Sequence, residues 1–311
     1  MTNASKTKII REILPSLQAL MSECKLCPRN CGVNRTGGER GVCDCGNESL
    51  VYTVMEHKGE EPPISAYNGS GAIFFSGCGM KCVYCQNHVF SQHLLGEEMS
   101  ARRLGEIFLE LEKKGCHNIN LVNPTYFLPS IVEALGYAFS EGLNLPVVYN
   151  TGGYENIEII KMLDGLVDIY LPDMRYSEDS MALKYSSVRD YVKINREVVK
   201  EMYRQTGGLE VRGGIAIRGL IIRLLVLPGG VSGTIDSLEF IAREIGKKVS
   251  ISLMSQYYPT YDAKLYGVIN RKITKDEYDH VVKKAFELGL DSGWIQPFGG
   301  NFDEAFLGEN F

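Results

Sequence analysis

The sequence predicts an α/β protein, an open partial (βα)6 barrel with a small N-terminal cysteine-rich metal-binding extension. Three observations predict it. Short apolar runs recur near 72–76, 118–123, 146–150, 168–172, 220–227 and 249–253, several of them β-branched, as strands buried on both faces require. Helical patterns alternate with them near 101–115, 128–142, 154–164, 187–206, 235–246 and 274–289, which implies parallel strand–helix units. Eight of the nine cysteines fall in two tight groups, at 24–45 and 78–85. Six units are two short of a closed (β/α)8 barrel, so the sheet is expected to stay open.

The remaining elements follow in chain order. Residues 7–22 read as a helix with a kink at Pro15. Residues 24–45 form a knuckle rich in Gly, Arg and Asn, and 50–55 read as a strand. Two prolines and three glycines make 59–71 a loop. On that loop Glu60 and Glu61 either meet a substrate or solvate a turn. Residues 207–219 resemble a small hairpin insert, and Thr274-Lys275-Asp276-Glu277 is a capping box that starts the last helix. The expected divisions are 1–65 for the N-terminal helix and cysteine segment, 66–296 for the barrel, and 297–311 for a polar, aromatic tail.

Composition narrows the function. Thirty-three basic against 38 acidic residues give a net charge of −5, which argues against a broad nucleic-acid footprint. No apolar run approaches the roughly 20 residues that span a bilayer. The start Met1-Thr2-Asn3-Ala4-Ser5-Lys6 leads into charged Lys8, Arg11 and Glu12, unlike a signal peptide. The expected location is the cytoplasm, without a membrane partner, where thiols stay reduced. An odd cysteine count in that compartment reads as metal binding rather than a disulfide scaffold.

The central group is Cys78-Gly79-Met80-Lys81-Cys82-Val83-Tyr84-Cys85, directly after the first barrel strand. Parallel strand–helix folds place their active sites at the C-terminal ends of the strands. The spacing Cys-x3-Cys-x2-Cys offers three thiolates on a short loop. Three thiolates can hold three irons of a 4Fe-4S cluster and leave the fourth open to a small molecule, whereas four cysteines suit an electron carrier. Zinc normally takes four ligands, and no residue nearby is well placed as the fourth.

This motif on six strand–helix units resembles the radical S-adenosylmethionine (SAM) superfamily. Within it the chain is similar to the pyruvate formate-lyase activating-enzyme-like branch with an N-terminal cysteine cluster. Gly59-Glu60-Glu61-Pro62-Pro63-Ile64-Ser65, Cys85-Gln86-Asn87 and Asp168-Ile169-Tyr170-Leu171-Pro172-Asp173 carry the closer likeness, over roughly residues 22–260. The resemblance implies an oxidoreductase that cleaves SAM reductively to a 5′-deoxyadenosyl radical, which abstracts hydrogen from a substrate. It implies a 4Fe-4S cluster on Cys78, Cys82 and Cys85, SAM on the open iron, and a reductant such as ferredoxin or flavodoxin.

The resemblance also implies where SAM sits, at the ends of the second to fifth strands. Tyr84 is the aromatic residue expected before the last cysteine. The family's second strand ends in Gly-Gly-Glu, but this chain has Asn123-Pro124-Thr125, with acceptors and no negative charge. Asn150 and Thr151 resemble a Thr-Asn-Gly turn suited to the SAM carboxylate or ribose. Asp173 and Arg175 resemble a Leu-Asp-x-Lys segment that meets the amino group and the carboxylate. Arg223 is a charge inside an apolar strand and needs a partner, which an inward position near SAM provides. Gln256, Tyr257 and Tyr258 either line the mouth or pack in the core. No protein acid or base is expected to be catalytic beyond the cluster and SAM.

Cys24, Cys27, Cys31 and Cys43 can close a second site. Structural zinc and an auxiliary iron–sulfur cluster both suit them. Cys45 is a spare or replaces Cys43, and Cys116 is expected in the core. The leading function is activation of a glycyl radical enzyme, with a protein or peptide substrate. Radical chemistry on another peptide, a metabolite or RNA is the alternative. A non-catalytic iron–sulfur carrier or redox sensor is the reading from a different class.

Overall fold

In the computed structural model, residues 1–299 are described; the expected tail from 300 onward lies outside them. Ten strands form one sheet: β1 Ser49–His57, β2 Ser70–Phe75, β3 Glu97–Met99, β4 Ile119–Val122, β5 Val147–Thr151, β6 Ile169–Pro172, β7 Glu210–Arg212, β8 Ile215–Leu225, β9 Ser250–Met254 and β10 Gly293–Ile295. The order runs β10-β9-β8-β6-β5-β4-β2-β1-β3, with β7 paired to β8 outside that path. From β2 to β10 every neighbour along the path is parallel, and β1 and β3 add an antiparallel edge. The two ends of the path do not pair, so the sheet stays open.

The six expected strands are therefore present as β2, β4, β5, β6, β8 and β9. A seventh parallel strand, β10, was not legible; it is three residues long and sits at the edge. The helices follow Ala101–Lys113, Leu128–Ser140, Ile157–Met162, Tyr191–Thr206, Thr234–Phe240 and Lys275–Glu287. The helix expected over 187–206 starts later, at Tyr191, because Ser187 and Asp190 take left-handed backbone, and a further helix that was not expected, Asp179–Ser186, precedes it. The helix expected over 235–246 ends in a π-helical turn, Ile241–Ile245. The last helix has the capping box, with Thr274 and Glu277 exchanging bonds. The expected hairpin is β7 against the first half of β8, so it is continuous with the fifth barrel strand.

The N-terminal helix, Asn3–Ala19, contains Pro15 and packs on the helix Leu128–Ser140. Buried Lys6 pairs with Asp168, whose carboxylate also accepts from Val147 N at 2.8 Å. The sheet continues across the expected boundary at 65, since β1 pairs with β2.

Strand alternation gives the sheet two faces. Ile73, Leu121, Tyr149, Tyr170, Ile222 and Ile251 turn to the main core under the helices. The opposite face is more polar, with Asn120, Asn150, Asp173, Arg223 and Ser252. Its lower part is filled by Ile64, which is wholly buried with Val148, Ile169, Leu171, Ala216 and Ile221. Ile64 belongs to a helical turn, Pro62–Ser65, within the segment expected to be a loop. That turn plugs the face opposite the helices. No helix among the described residues is long and apolar enough to cross a membrane.

Candidate functional site

A cleft lies at the C-terminal ends of β2, β4, β5, β6 and β8. Cys78, Cys82 and Cys85 border it together with Asn123, Thr125, Asn150, Thr151, Asp173, Arg175 and Arg223. Ten of the residues expected around cluster and SAM thus share one cavity.

Each thiol in the cleft has a hydroxyl neighbour. Ser186 Oγ donates to Cys82 Sγ at 2.9 Å, Ser91 Oγ lies 3.2 Å from Cys85 Sγ, and Tyr126 Oη lies 3.7 Å from Cys78 Sγ. Met80 N also donates to Cys78 Sγ at 3.4 Å. Burial pushes the Cys82 thiol up to about 12 and raises Cys85 as well, so without a cationic metal both favour the neutral form. Among the described residues no three His, Cys, Asp or Glu side chains converge on a single ion-sized site.

Arg223 organises the floor. Its Nε donates to Asp173 Oδ1 at 2.9 Å, its Nη2 bonds the Asn150 side chain, and its Nη1 is 3.4 Å from Glu60 Oε2. Glu60 Oε1 in turn accepts from Asn120 at 2.9 Å and Asn150 at 3.1 Å. Asp173 also holds Arg175 by an ion pair. These side chains are at least three-quarters buried except Arg175, at 26% exposed. Among the described residues Arg175 Nε is buried without a hydrogen-bond partner, beside the cleft.

Glu155 is the other carboxylate of the lining, 1% exposed. It accepts from Thr125 Oγ1 at 2.7 Å, from Tyr149 Oη at 3.2 Å and from Thr151 Oγ1. Burial raises its carboxyl to about 7 against the pull of those three hydroxyls. Glu60, expected to meet a substrate or solvate a turn, is instead bound to Asn120, Asn150 and Arg223, and Glu155 has no role in the sequence reading. Glu60 lies on a segment that reads as loop, and Glu155 lies in the turn after β5 and meets Thr125 from the end of β4.

Some expected residues stand elsewhere. Tyr84 is absent from the lining: its ring is buried against Tyr176 and Tyr257, and its hydroxyl donates to Tyr176 Oη at 2.7 Å. Tyr257 is core, donating to Ile269 O at 2.6 Å, and Gln256 accepts from Gln86 and Gln296 outside the cleft. Asn123, in left-handed backbone, spends its amide on Gly77 O at 2.6 Å and ties β4 to the cysteine loop. Glu61 is buried beside Ser252, and Cys116 is core.

The knuckle packs beside this loop. Arg29 Nε donates to Gly79 O at 2.9 Å, and Lys81 pairs with Asp44 at 3.1 Å. Gly77 has a φ of +80°, and a Cβ there would stand 2.5 Å from Cys45 Sγ, so only glycine fits. Burial pushes the Cys27 thiol up to about 12, while the Cys45 thiol, by hydrogen bonding, brings Cys43 down to about 6.

No model of a known protein family matches the sequence. The chain is 30% identical over 285 residues to the uncharacterized protein MJ0674 of Methanocaldococcus jannaschii, covering 88% of this chain and 77% of that one. It is 23% identical over 261 residues to the uncharacterized protein MJ0808 of the same organism, covering 76% and 71%. Among solved structures, Streptococcus suis SuiB bound to S-adenosylmethionine aligns with a TM-score of 0.49 and 12% identity. That alignment covers 71% of this chain and 48% of SuiB, so the chain spans about half of SuiB's length.

Proposed function

The chain belongs to the family of the Methanocaldococcus jannaschii protein MJ0674, and we propose that it is a radical SAM enzyme. One observation carries the reading: the Cys-x3-Cys-x2-Cys thiols border the same cleft as Asn150, Thr151, Asp173, Arg175 and Arg223. The donor set fits a 4Fe-4S cluster, because the described lining holds three thiols and no fourth thiol or imidazole. Hydroxyl hydrogen bonds to the sulfurs are the kind of contact that tunes such a cluster. Bound there, cluster and SAM supply reductive cleavage to a 5′-deoxyadenosyl radical that abstracts hydrogen from a substrate.

The chain's own residues then bind and orient. Arg175, held by Asp173, offers its Nε to a carboxylate. Asn150 and Thr151 offer polar groups at the end of β5 for a carboxylate or ribose. Glu155 offers a carboxyl where the end of β4 has none; burial raises it to about 7, and an ammonium group beside it would favour its charged form. The Glu60–Arg223–Asp173 pairs hold this floor rigid. Met80, Phe90 and Tyr126 form the apolar part of the wall and exclude water.

The finer proposal is activation of a glycyl radical enzyme with ferredoxin or flavodoxin as reductant; sequence resemblance supports it. The basic test is anaerobic reconstitution, addition of SAM and dithionite, and measurement of 5′-deoxyadenosine. Production by wild type and loss in Cys82→Ala supports the reading. No product from a cluster-loaded wild type moves the chain to the carrier or sensor class.

A further inference from the structure

The knuckle encloses a cation with no carboxylate beside it among the described residues. Arg35 is 1% exposed and lies among Cys24, Cys27, Cys43 and Cys45, themselves at most 7% exposed. Its guanidinium donates to Gly46 O at 3.0 Å from Nε and again from Nη2. Its Nη1 faces Cys24 Sγ at 4.0 Å, and its plane lies over the Phe127 ring at 5.8 Å. Among the described residues it has no carboxylate partner. A guanidinium does not shed its proton, and a buried cation needs an anion. The groups around it that can become anionic are the cysteines.

We infer that Cys24, Cys27, Cys31 and Cys43 bind a second iron–sulfur cluster, for which Arg35 is the buried counter-charge. Four thiolates on a metal surround the guanidinium with negative charge. Cys45 is not among the ligands. Its sulfur bonds Cys43 O at 3.5 Å and Ser76 O at 3.7 Å, lies against Gly77 and hydrogen-bonds the Cys43 thiol, so it stands as a donor to a ligand. Iron–sulfur fits better than zinc. A zinc tetrathiolate gathers its sulfurs about one point at about 2.3 Å each. The thiols here do not converge in that way, and a larger cluster spreads its ligands. The site stands directly against the central loop through Arg29–Gly79 and Lys81–Asp44.

The proposal is independent of SAM chemistry, and its test removes the central ligands. The full chain carrying Cys78→Ala, Cys82→Ala and Cys85→Ala is reconstituted anaerobically with ferrous iron and sulfide alone. Iron, sulfide and zinc are then counted, and the visible spectrum is recorded. About four irons per chain are expected to remain, and about eight in wild type. Adding Cys24→Ala and Cys27→Ala should drop the variant below about one iron with an unchanged circular dichroism spectrum. Adding Cys45→Ser should leave the count unchanged. A folded triple variant with no iron, or with about one zinc instead, overturns the inference, as does iron surviving the loss of Cys24 and Cys27. If the triple variant does not fold, about four irons in wild type overturn it equally.

Discussion

The two cysteine groups of this chain are built differently. The central one stands on a loop at a strand end, with Cys78 and Cys85 half-buried beside an open cleft. Its neighbours are hydroxyls and the ionic floor set by Arg223. The knuckle is enclosed: four of its five thiols are buried, and Arg35 is packed among them. Space beside thiolates admits a second molecule, and enclosure excludes one. That contrast matches the two proposals, a reacting site at the first group and a closed metal site at the second.

Perturbing each region should give unequal effects. The largest is expected at the floor. Arg223→Met leaves Glu60 without its ion-pair partner and Asp173 with only Arg175. Loss of one member of a buried pair costs about 3–5 kcal/mol, read by denaturant unfolding. A wild-type-like midpoint would show that the floor is not an ionic unit.

Glu155 gives a pH test of the same cleft. Its carboxyl titrates at about 7 in the fold, raised by burial from an ordinary value of 4.5. The native state therefore holds more protons than the unfolded state between those values, and stability falls as pH rises through that window. The loss approaches roughly 3 kcal/mol above it. Glu155→Gln should flatten this slope in metal-free protein, measured as thermal midpoints from pH 5 to 8. An identical slope in both proteins would remove Glu155 as its source.

The contact between the two regions comes next. Gly77→Ala adds a methyl where Cys45 Sγ and Cys43 O would stand at 2.5 and 2.8 Å, in backbone that disfavours a side chain. A cost of about 1–3 kcal/mol is expected, with weaker iron retention at both groups. Retention changed at one group alone would show that they are not mechanically joined. The smallest effect is Lys81→Ala, which breaks a partly exposed pair with Asp44 and should cost under about 1 kcal/mol.

Much of this was readable in the sequence, for physical reasons. Strands buried on both faces produce apolar runs, so β2, β4, β5, β6, β8 and β9 were visible. Polar residues that end such runs, Asn150, Thr151 and Asp173, were visible as site candidates for the same reason. What escaped depends on tertiary placement. Pro62–Ser65 reads as loop because of its prolines, yet it carries Ile64 into the face opposite the helices and Glu60 to Arg223. Glu155 becomes a site residue only because Thr125 and Thr151 come from different strands. Tyr84 reads as a cofactor neighbour from its place in the motif, but its ring packs with Tyr176 and Tyr257.

The difference between the two cysteine groups is tested most directly by electron paramagnetic resonance of the reduced protein, recorded with and without SAM. Two variants are compared, one with Cys24 and Cys27 changed to Ala, the other with Cys78, Cys82 and Cys85 changed to Ala. SAM should alter the spectrum of the first and leave that of the second unchanged. A SAM-dependent change that survives loss of the central cysteines would contradict the assignment of the cleft as the reacting site.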